Sequence, residues 1–167
     1  MVFSCTNDHP ISVDADYTKD KSPIGCEIGS TAPNFVTELI DGQRFELKKF
    51  RSKIVMIEFW ATWCPYCINS VPVIKAVQKQ FKYNDNFALL GVSINDENEK
   101  LINFIKEKEM SWLHAENGKL NPDLKTLFCI SGIPTVILID KYGVIRYKIN
   151  PTESKTLTNK IELLLEE

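Results

Sequence analysis

The fold expected for this chain is decided by residues 54–67, which read IVMIEFWATWCPYC. The first seven residues are a nearly unbroken apolar run rich in β-branched and aromatic side chains, typical of a strand buried on both faces. Glu58 is the one charged residue in that run. After Cys67, apolar residues recur at three- and four-residue spacing as far as Phe81, which predicts a helix directly after the strand. Both cysteines therefore lie where a buried strand passes into a helix.

Strands and helices alternate on the C-terminal side of this stretch, as in a parallel βαβ core. On its N-terminal side, Asp41-Gly42 lies between two apolar segments, which is a strong hairpin signal. The other predicted elements are a strand over residues 87–94, a helix over 97–109, a terminal hairpin of strands 135–140 and 144–149 that turns at Gly143, and a closing helix over 152–167.

The chain is predicted to consist of a flexible tail, residues 1–26, and one α/β domain, residues 27–167. The tail is rich in Asp, Lys, Ser and Thr and lacks apolar periodicity. With 44% apolar residues in 167, the chain is long enough for one hydrophobic core. Two interpretations of Cys5 are open. The sequence Val2-Phe3-Ser4-Cys5 resembles the end of a bacterial lipoprotein signal, and the alternative is an ordinary thiol in a loose tail.

Charge and hydropathy exclude two classes of partner. The net charge is -2, and Lys and Arg form no run longer than adjacent pairs, so a nucleic-acid partner is not expected. No apolar stretch approaches the roughly 20 residues that a membrane-spanning helix requires. The chain is therefore predicted to be soluble.

Cys64 and Cys67 are predicted to form a redox-active pair. Cysteines three positions apart in the first turn of a helix bring their α-carbons within the roughly 4.4–6.8 Å that a disulfide needs. The positive end of the helix stabilises a thiolate at its first residue, which favours Cys64 as the nucleophile. Cys67, one turn deeper, is then the resolving thiol.

A metal site is the alternative for this spacing. Half of a zinc site, or an iron–sulfur cluster shared between two chains, would also use a pair of thiolates. Zinc needs a second pair of ligands, but Cys26 and Cys129 are isolated in the sequence and the histidines are His9 and His114. A zinc site is therefore not expected, and dithiol–disulfide exchange itself needs no metal and no organic cofactor.

Residues 59–67, FWATWCPYC, resemble the active-site segment of the thioredoxin superfamily. Glu58 stands six residues before the first cysteine, Pro72 stands five after the second, and Gly132-Ile133-Pro134-Thr135 resembles the cis-proline loop of the superfamily. Residues 29–35, GSTAPNF, and the long segment 95–132 are similar to the TlpA/ResA branch. The resemblance covers roughly residues 27 to 167.

This resemblance implies both a fold and an activity. The fold is a thioredoxin-like three-layer α/β fold, with a central mixed β-sheet flanked by helices, an N-terminal hairpin and an inserted βα segment. The activity is thiol–disulfide exchange with protein disulfides, with an upstream thiol reductant as second partner and the protein acting as a monomer. The implied location is extracytoplasmic, either periplasmic or membrane-anchored and facing outward; a cytoplasmic location is the alternative.

Glu58 is predicted to be a catalytic carboxylate, because thioredoxins keep a buried carboxylate at this position. Residues 88–94 contain no Lys to pair with it, which disfavours its charged form. A partly protonated Glu58 suits transfer of the proton of Cys67 through a water. The dipeptide Pro65-Tyr66 between the two cysteines is the one seen in glutaredoxins. The resemblance to thioredoxins therefore does not define the redox potential of the Cys64–Cys67 pair.

Substrate binding is assigned to Trp63, Pro65 and Tyr66 beside Cys64, and to Ile133 and Pro134. Trp63 either docks substrate chains or covers the site. Pro134 is expected to follow a cis peptide bond, so that the backbone of Ile133 pairs with an extended substrate; the alternative is an ordinary proline at the start of a strand.

The remaining cysteines and histidine are predicted to have no redox role. Cys129 is expected to be a buried, inert thiol, because it lies in a mostly apolar stretch. Cys26 is expected either to be loosely held or to pair with Cys5. His114 is expected to be structural.

Two rival functions are considered. A thiol peroxidase shares the Ala32-Pro33-Asn34-Phe35 opening, but it would need a lone peroxidatic cysteine after a loop that contains Pro and Thr. A redox-inactive binding module of the same fold is the second rival, and the intact cysteine pair and Pro134 argue against it.

Overall fold

The computed structural model describes residues 22–119 and 123–167. These residues form seven strands, four α-helices and one 3-10 helix (Leu47–Phe50). The strands are β1 (Val36–Glu38), β2 (Arg44–Glu46), β3 (Ile54–Trp60), β4 (Phe87–Ser93), β5 (Leu113–Glu116), β6 (Thr135–Ile139) and β7 (Ile145–Ile149). The α-helices are α1 (Pro65–Phe81), α2 (Asn98–Glu107), α3 (Leu124–Leu127) and α4 (Ser154–Glu166).

Five strands form a central mixed sheet in the order β5-β4-β3-β6-β7. β4 is parallel to both β3 and β5, whereas β6 is antiparallel to β3 and β7. β1 and β2 form the predicted N-terminal hairpin. The central place of β3 explains its apolar sequence, because all seven of its residues are buried.

Alternate residues of the sheet face two different cores. One face carries Val55, Ile57 and Phe59 and is covered by the N-terminal hairpin and α3. The opposite face carries Ile54 and Met56 and is covered by α1 and α4. Towards the carboxyl end of β3, the same face packs through Trp60 against α1 and α2. The expected three-layer α/β fold is confirmed.

Helix α1 begins directly after the first cysteine, as predicted. Pro65 occupies its first position, where a missing N–H costs nothing, and Pro72 lies inside it. Its buried side chains follow a helical period and point to the sheet; they are Cys67, Ser70, Val71, Ile74, Val77 and Phe81.

A second disulfide joins Cys26 to Cys129, with the two α-carbons 5.8 Å apart. The expectation of a buried, inert Cys129 thiol is wrong, because Cys129 is exposed and bonded to a cysteine 103 positions away. The pairing of Cys26 with Cys5 is wrong for the same reason. The sequence alone could not bring these cysteines together, because the start of the domain meets the end of α3 only in the folded chain.

The N-terminal segment from residue 22 is attached to the domain by more than this disulfide. Ile24 pairs with Thr31, and Thr31 pairs in turn with Val144 beside β7. Residues 1–21, including Cys5 and His9, lie outside the described residues. The flexible tail and the lipidation of Cys5 therefore stay predictions. In the described part of the chain, no helix combines the length and apolar character needed to cross a membrane.

Candidate active site

Cys64 lies at the point where β3 passes into α1. It is the N-cap residue of the helix, and its Sγ accepts a hydrogen bond from the backbone N–H of Cys67 at 3.2 Å. Unpaired backbone N–H groups and the positive end of the helix dipole both stabilise a negative charge at this point. The local geometry therefore favours the thiolate of Cys64 over that of Cys67.

The sulfurs of Cys64 and Cys67 are bonded to each other, and their α-carbons lie 5.2 Å apart. Cys64 retains 5% of its surface, whereas Cys67 is fully buried beneath it. Cys64 is therefore the more exposed residue of the pair, and Cys67 is shielded from an external sulfur.

The cis-proline segment lies next to Cys64, although it is 69 positions away in the sequence. The Ile133–Pro134 peptide bond is cis, as expected. The carbonyl oxygen of Ile133 lies 3.9 Å from Sγ of Cys64. A backbone hydrogen-bonding group of the protein therefore lies beside the sulfur that an external disulfide would meet.

Exposed side chains surround Cys64. Trp63 and Tyr66 expose 53% and 76% of their surfaces, and Pro65 is also exposed. The indole of Trp63 donates a hydrogen bond to the carbonyl of Ile94 at 3.2 Å, which fixes its orientation. Apolar surface of this kind at a reactive centre is typical of a docking site.

Glu58 is buried in β3, with 1% of its surface exposed. Burial raises the pKa of its carboxyl group to about 8, and no described residue donates a hydrogen bond to its Oε2. The group is therefore mainly protonated at neutral pH, in line with the expected partial protonation. Glu58 shares a sheet face with Trp60, which packs in one cluster with Cys64 and Cys67.

Asp96 supports the active-site loop but is not among the residues predicted above. Its buried carboxylate accepts hydrogen bonds from the backbone N–H of Thr62 at 2.9 Å, from the Thr62 hydroxyl and from the hydroxyl of Ser93. Thr62 lies two residues before Cys64, so the segment after β4 holds the active-site loop. No local pattern reveals this contact, because 34 positions separate Asp96 from Thr62.

Away from the active site, the described part of the chain brings three potential metal-ligating side chains together at one place. The carboxylate of Glu27 lies within 4.8 Å of the sulfurs of Cys26 and Cys129. Both sulfurs are used by the second disulfide, so the group offers a metal no thiolate in this state.

Comparison with known proteins agrees with this geometry. Residues 27–163 match the Redoxin family. The chain is 30% identical over 131 residues to the thiol-disulfide oxidoreductase ResA of Bacillus cereus. The aligned region covers 77% of this chain and 73% of that protein. It is 26% identical over 151 residues to the thioredoxin-like protein YneN of Bacillus subtilis, covering 87% of this chain and 85% of that one.

Solved structures with the same fold come from other bacteria. A thiol:disulfide interchange protein of Chlorobium tepidum superposes with a TM-score of 0.73 at 25% identity, over 83% of this chain and 98% of that one. A thiol-disulfide oxidoreductase of Bacteroides fragilis superposes with a TM-score of 0.71 at 28% identity, over 81% of this chain and all of that one. The chain belongs to the Redoxin family and is a TlpA/ResA-like thiol–disulfide oxidoreductase of the thioredoxin superfamily.

Proposed function

We propose that the chain is an extracytoplasmic reductant of protein disulfides, in which Cys64 attacks, Cys67 resolves and Glu58 exchanges a proton with Cys67. The single observation that carries this proposal is the position of Cys64. It combines a helix N-terminus, the accessible sulfur of the pair and a neighbouring backbone carbonyl of Ile133.

The reaction needs two exchange steps. The thiolate of Cys64 attacks one sulfur of the substrate disulfide, forming a mixed disulfide and releasing the first substrate thiolate, which takes a proton. The thiolate of Cys67 then attacks Sγ of Cys64, which closes the Cys64–Cys67 disulfide and releases the second substrate thiolate. An upstream dithiol reverses these steps on the enzyme and is itself oxidised.

Glu58 completes the proton balance of this cycle. When the upstream thiol attacks Cys64, Cys67 leaves as a thiolate and takes the proton of the neutral Glu58 carboxyl group. In the resolving step the carboxylate of Glu58 takes that proton back from the Cys67 thiol. A carboxyl group with a pKa raised to about 8 by burial can perform both transfers near neutral pH.

The surface around Cys64 supports a protein substrate. The exposed rings of Trp63 and Tyr66 offer apolar contacts beside the sulfur. An extended substrate segment can pair with the backbone of Ile133 in the manner of an added strand.

The second disulfide supports the proposed compartment. Cys129 is exposed and Cys26 is half-buried, and neither contributes to the site around Cys64. Non-catalytic disulfides of this kind persist in oxidising compartments and are rare in the cytosol.

The reductant proposal is tested by the reduction potential of the Cys64–Cys67 pair. We expect a value between roughly −270 and −180 mV, the span of thioredoxin-like reductants and isomerases. The oxidised chain is equilibrated in dithiothreitol or glutathione buffers, and the thiols are counted after alkylation by mass spectrometry. The double variant Cys26→Ser/Cys129→Ser is the control, because only one disulfide then titrates. A potential near −120 mV would instead indicate an oxidant.

The variant Glu58→Gln is expected to slow exchange by about 10²-fold or less, because it removes a proton acceptor and donor from Cys67.

The same variant is also expected to be more stable than the wild type at alkaline pH. The folded protein holds the proton of Glu58 up to about pH 8, whereas the unfolded chain releases it near 4.5. The free energy of unfolding of the wild type should therefore fall by up to about 1.4 kcal/mol per pH unit between those values. In Glu58→Gln this contribution to the fall disappears.

Urea unfolding between these pH values measures the stability, and stopped-flow exchange measures the rate. Glu99→Gln, the same change at an exposed site, is the matched control. Exchange rates equal to those of the wild type from pH 6 to 9 would reduce Glu58 to a structural residue.

A further inference from the structure

Four buried polar atoms on one face of the central sheet have no hydrogen-bond partner among the described residues. They are Oε2 of Glu58, Nε1 of Trp60, Nε1 of Trp112 and Nδ1 of His114. Glu58, Trp60 and His114 each expose 2% of their surface or less. Buried polar atoms are nearly always paired, with protein or with ordered water, because burial removes their bonds to solvent. Four such atoms in one region therefore indicate a shared partner.

Strand register places Glu58 and His114 on either side of Gly91. Glu58 of β3 lies opposite Gly91 of β4, and Gly91 lies opposite His114 of β5. Residues that are opposite one another in neighbouring strands point to the same face of the sheet. Glu58, Gly91 and His114 thus form one row across three strands, and the middle position has no side chain.

The three ring nitrogens converge over this glycine. A β-carbon on Gly91 would lie 2.8 Å from Nδ1 of His114 and 3.1 Å from Nε1 of both Trp60 and Trp112. The nitrogens are therefore close enough together for one small polar molecule, held above the glycine, to reach all three at hydrogen-bond distance. Any larger residue at position 91 would crowd the imidazole.

The donor and acceptor pattern identifies the molecule. The two indole N–H groups can only donate. Nε2 of His114 lies 3.2 Å from the carbonyl oxygen of Met110, which can only accept, so Nε2 carries the hydrogen. Burial lowers the pKa of His114 to about 4, and in the neutral ring Nδ1 is then an acceptor. The bound molecule must accept two hydrogen bonds and donate at least one, which suits water and excludes an anion such as chloride.

We propose that one water molecule is bound over Gly91, where it accepts hydrogen bonds from Trp60 and Trp112 and donates to Nδ1 of His114 and Oε2 of Glu58. His114 is then a positioning residue, because it orients the water that holds the carboxyl group of Glu58. The water site stands on the buried atoms alone. Its effect on the proton of Cys67 rests on the proposed function of Glu58.

Nuclear magnetic resonance of the full chain in its oxidised form tests the site. The chain has three tryptophans, and the half-exposed Trp63 serves as an internal reference. The indole protons of Trp60 and Trp112 should both show cross peaks at the water frequency, with the sign expected for water bound longer than nanoseconds. The indole proton of Trp63 should lack that signature. Absence of the cross peak from either buried indole would overturn the proposal.

Two variants test the part played by the sheet row. In His114→Phe the ring stays but the acceptor is lost, so both long-lived cross peaks should disappear. Gly91→Ala should have the same effect by placing a methyl group over the strand. If Gly91→Ala does not fold, His114→Phe carries the test. Cross peaks that persist unchanged in His114→Phe would overturn the assignment.

Infrared spectroscopy at about pH 6, where Glu58 is protonated, tests the link to the carboxyl group. The carbonyl stretch of Glu58 is assigned by its loss in Glu58→Gln. It should shift to higher frequency in His114→Phe, because a hydrogen bond to Oε2 is weakened. An unshifted band would overturn the link. Normal exchange by Glu58→Gln, with both cross peaks present in the wild type, would reject the catalytic role of Glu58 and leave the water site standing.

Discussion

A Cys67→Ser variant is expected to accumulate mixed disulfides with client proteins, and a Cys64→Ser variant is expected to trap almost none. Cys64 is the accessible sulfur and caps the helix, so its attack survives the loss of Cys67. Without Cys67 the mixed disulfide cannot be resolved by the enzyme. Both variants should lose steady-state turnover, but at different steps.

The trapped species are measured on non-reducing gels of extracts from cells that produce each variant. These mixed disulfides should be reduced, and their bands lost, when dithiothreitol is added. The double variant Cys64→Ser/Cys67→Ser is the control for adducts formed through other cysteines. Trapping by Cys64→Ser but not by Cys67→Ser would exchange the two roles and refute the argument from the helix start.

Loss of the Cys26–Cys129 disulfide is expected to lower the free energy of unfolding by about 4 kcal/mol, because the bond closes a loop of roughly 100 residues in the unfolded chain. Exchange at Cys64 should continue in the variant once it is folded, since neither cysteine touches the reacting sulfurs in the proposed mechanism. The variant is Cys26→Ala/Cys129→Ala, and urea unfolding under oxidising conditions measures the change.

The matched control is Cys64→Ala/Cys67→Ala. The Cys64–Cys67 disulfide that this variant lacks spans only three positions. The same entropic argument therefore predicts a smaller fall in the free energy of unfolding. Equal stability of Cys26→Ala/Cys129→Ala and the wild type would contradict the stabilising role. Two free thiols at Cys26 and Cys129 in the oxidised protein would contradict the pairing itself.

Much of the fold could be predicted from local patterns. Strand β3 is a short, nearly unbroken apolar run, helix α1 has apolar residues at three- and four-residue spacing, and Gly143 takes the positive φ that its turn requires. The short helix α3 was missed, because four residues are too few to show a helical period.

The candidate site was predicted to the extent that its residues lie near one another in the sequence. One loop and one helix turn supply Cys64, Cys67 and the exposed rings of Trp63 and Tyr66. Their spacing in the sequence therefore determines their relative positions. The position of Pro134 beside Cys64 came from the family resemblance. Local pattern cannot bring together segments 69 positions apart.

The sequence by itself determined the α/β order of elements, the redox pair at a helix start and the buried carboxyl group of Glu58, because each depends on neighbouring residues. Only the tertiary structure decided that Cys26 meets Cys129, that Asp96 holds Thr62, and that His114 and Gly91 lie in one row with Glu58. These contacts depend on strand register and on how the ends of the domain pack. Such long-range pairings are set by the whole hydrophobic core and leave no periodic signal in the chain.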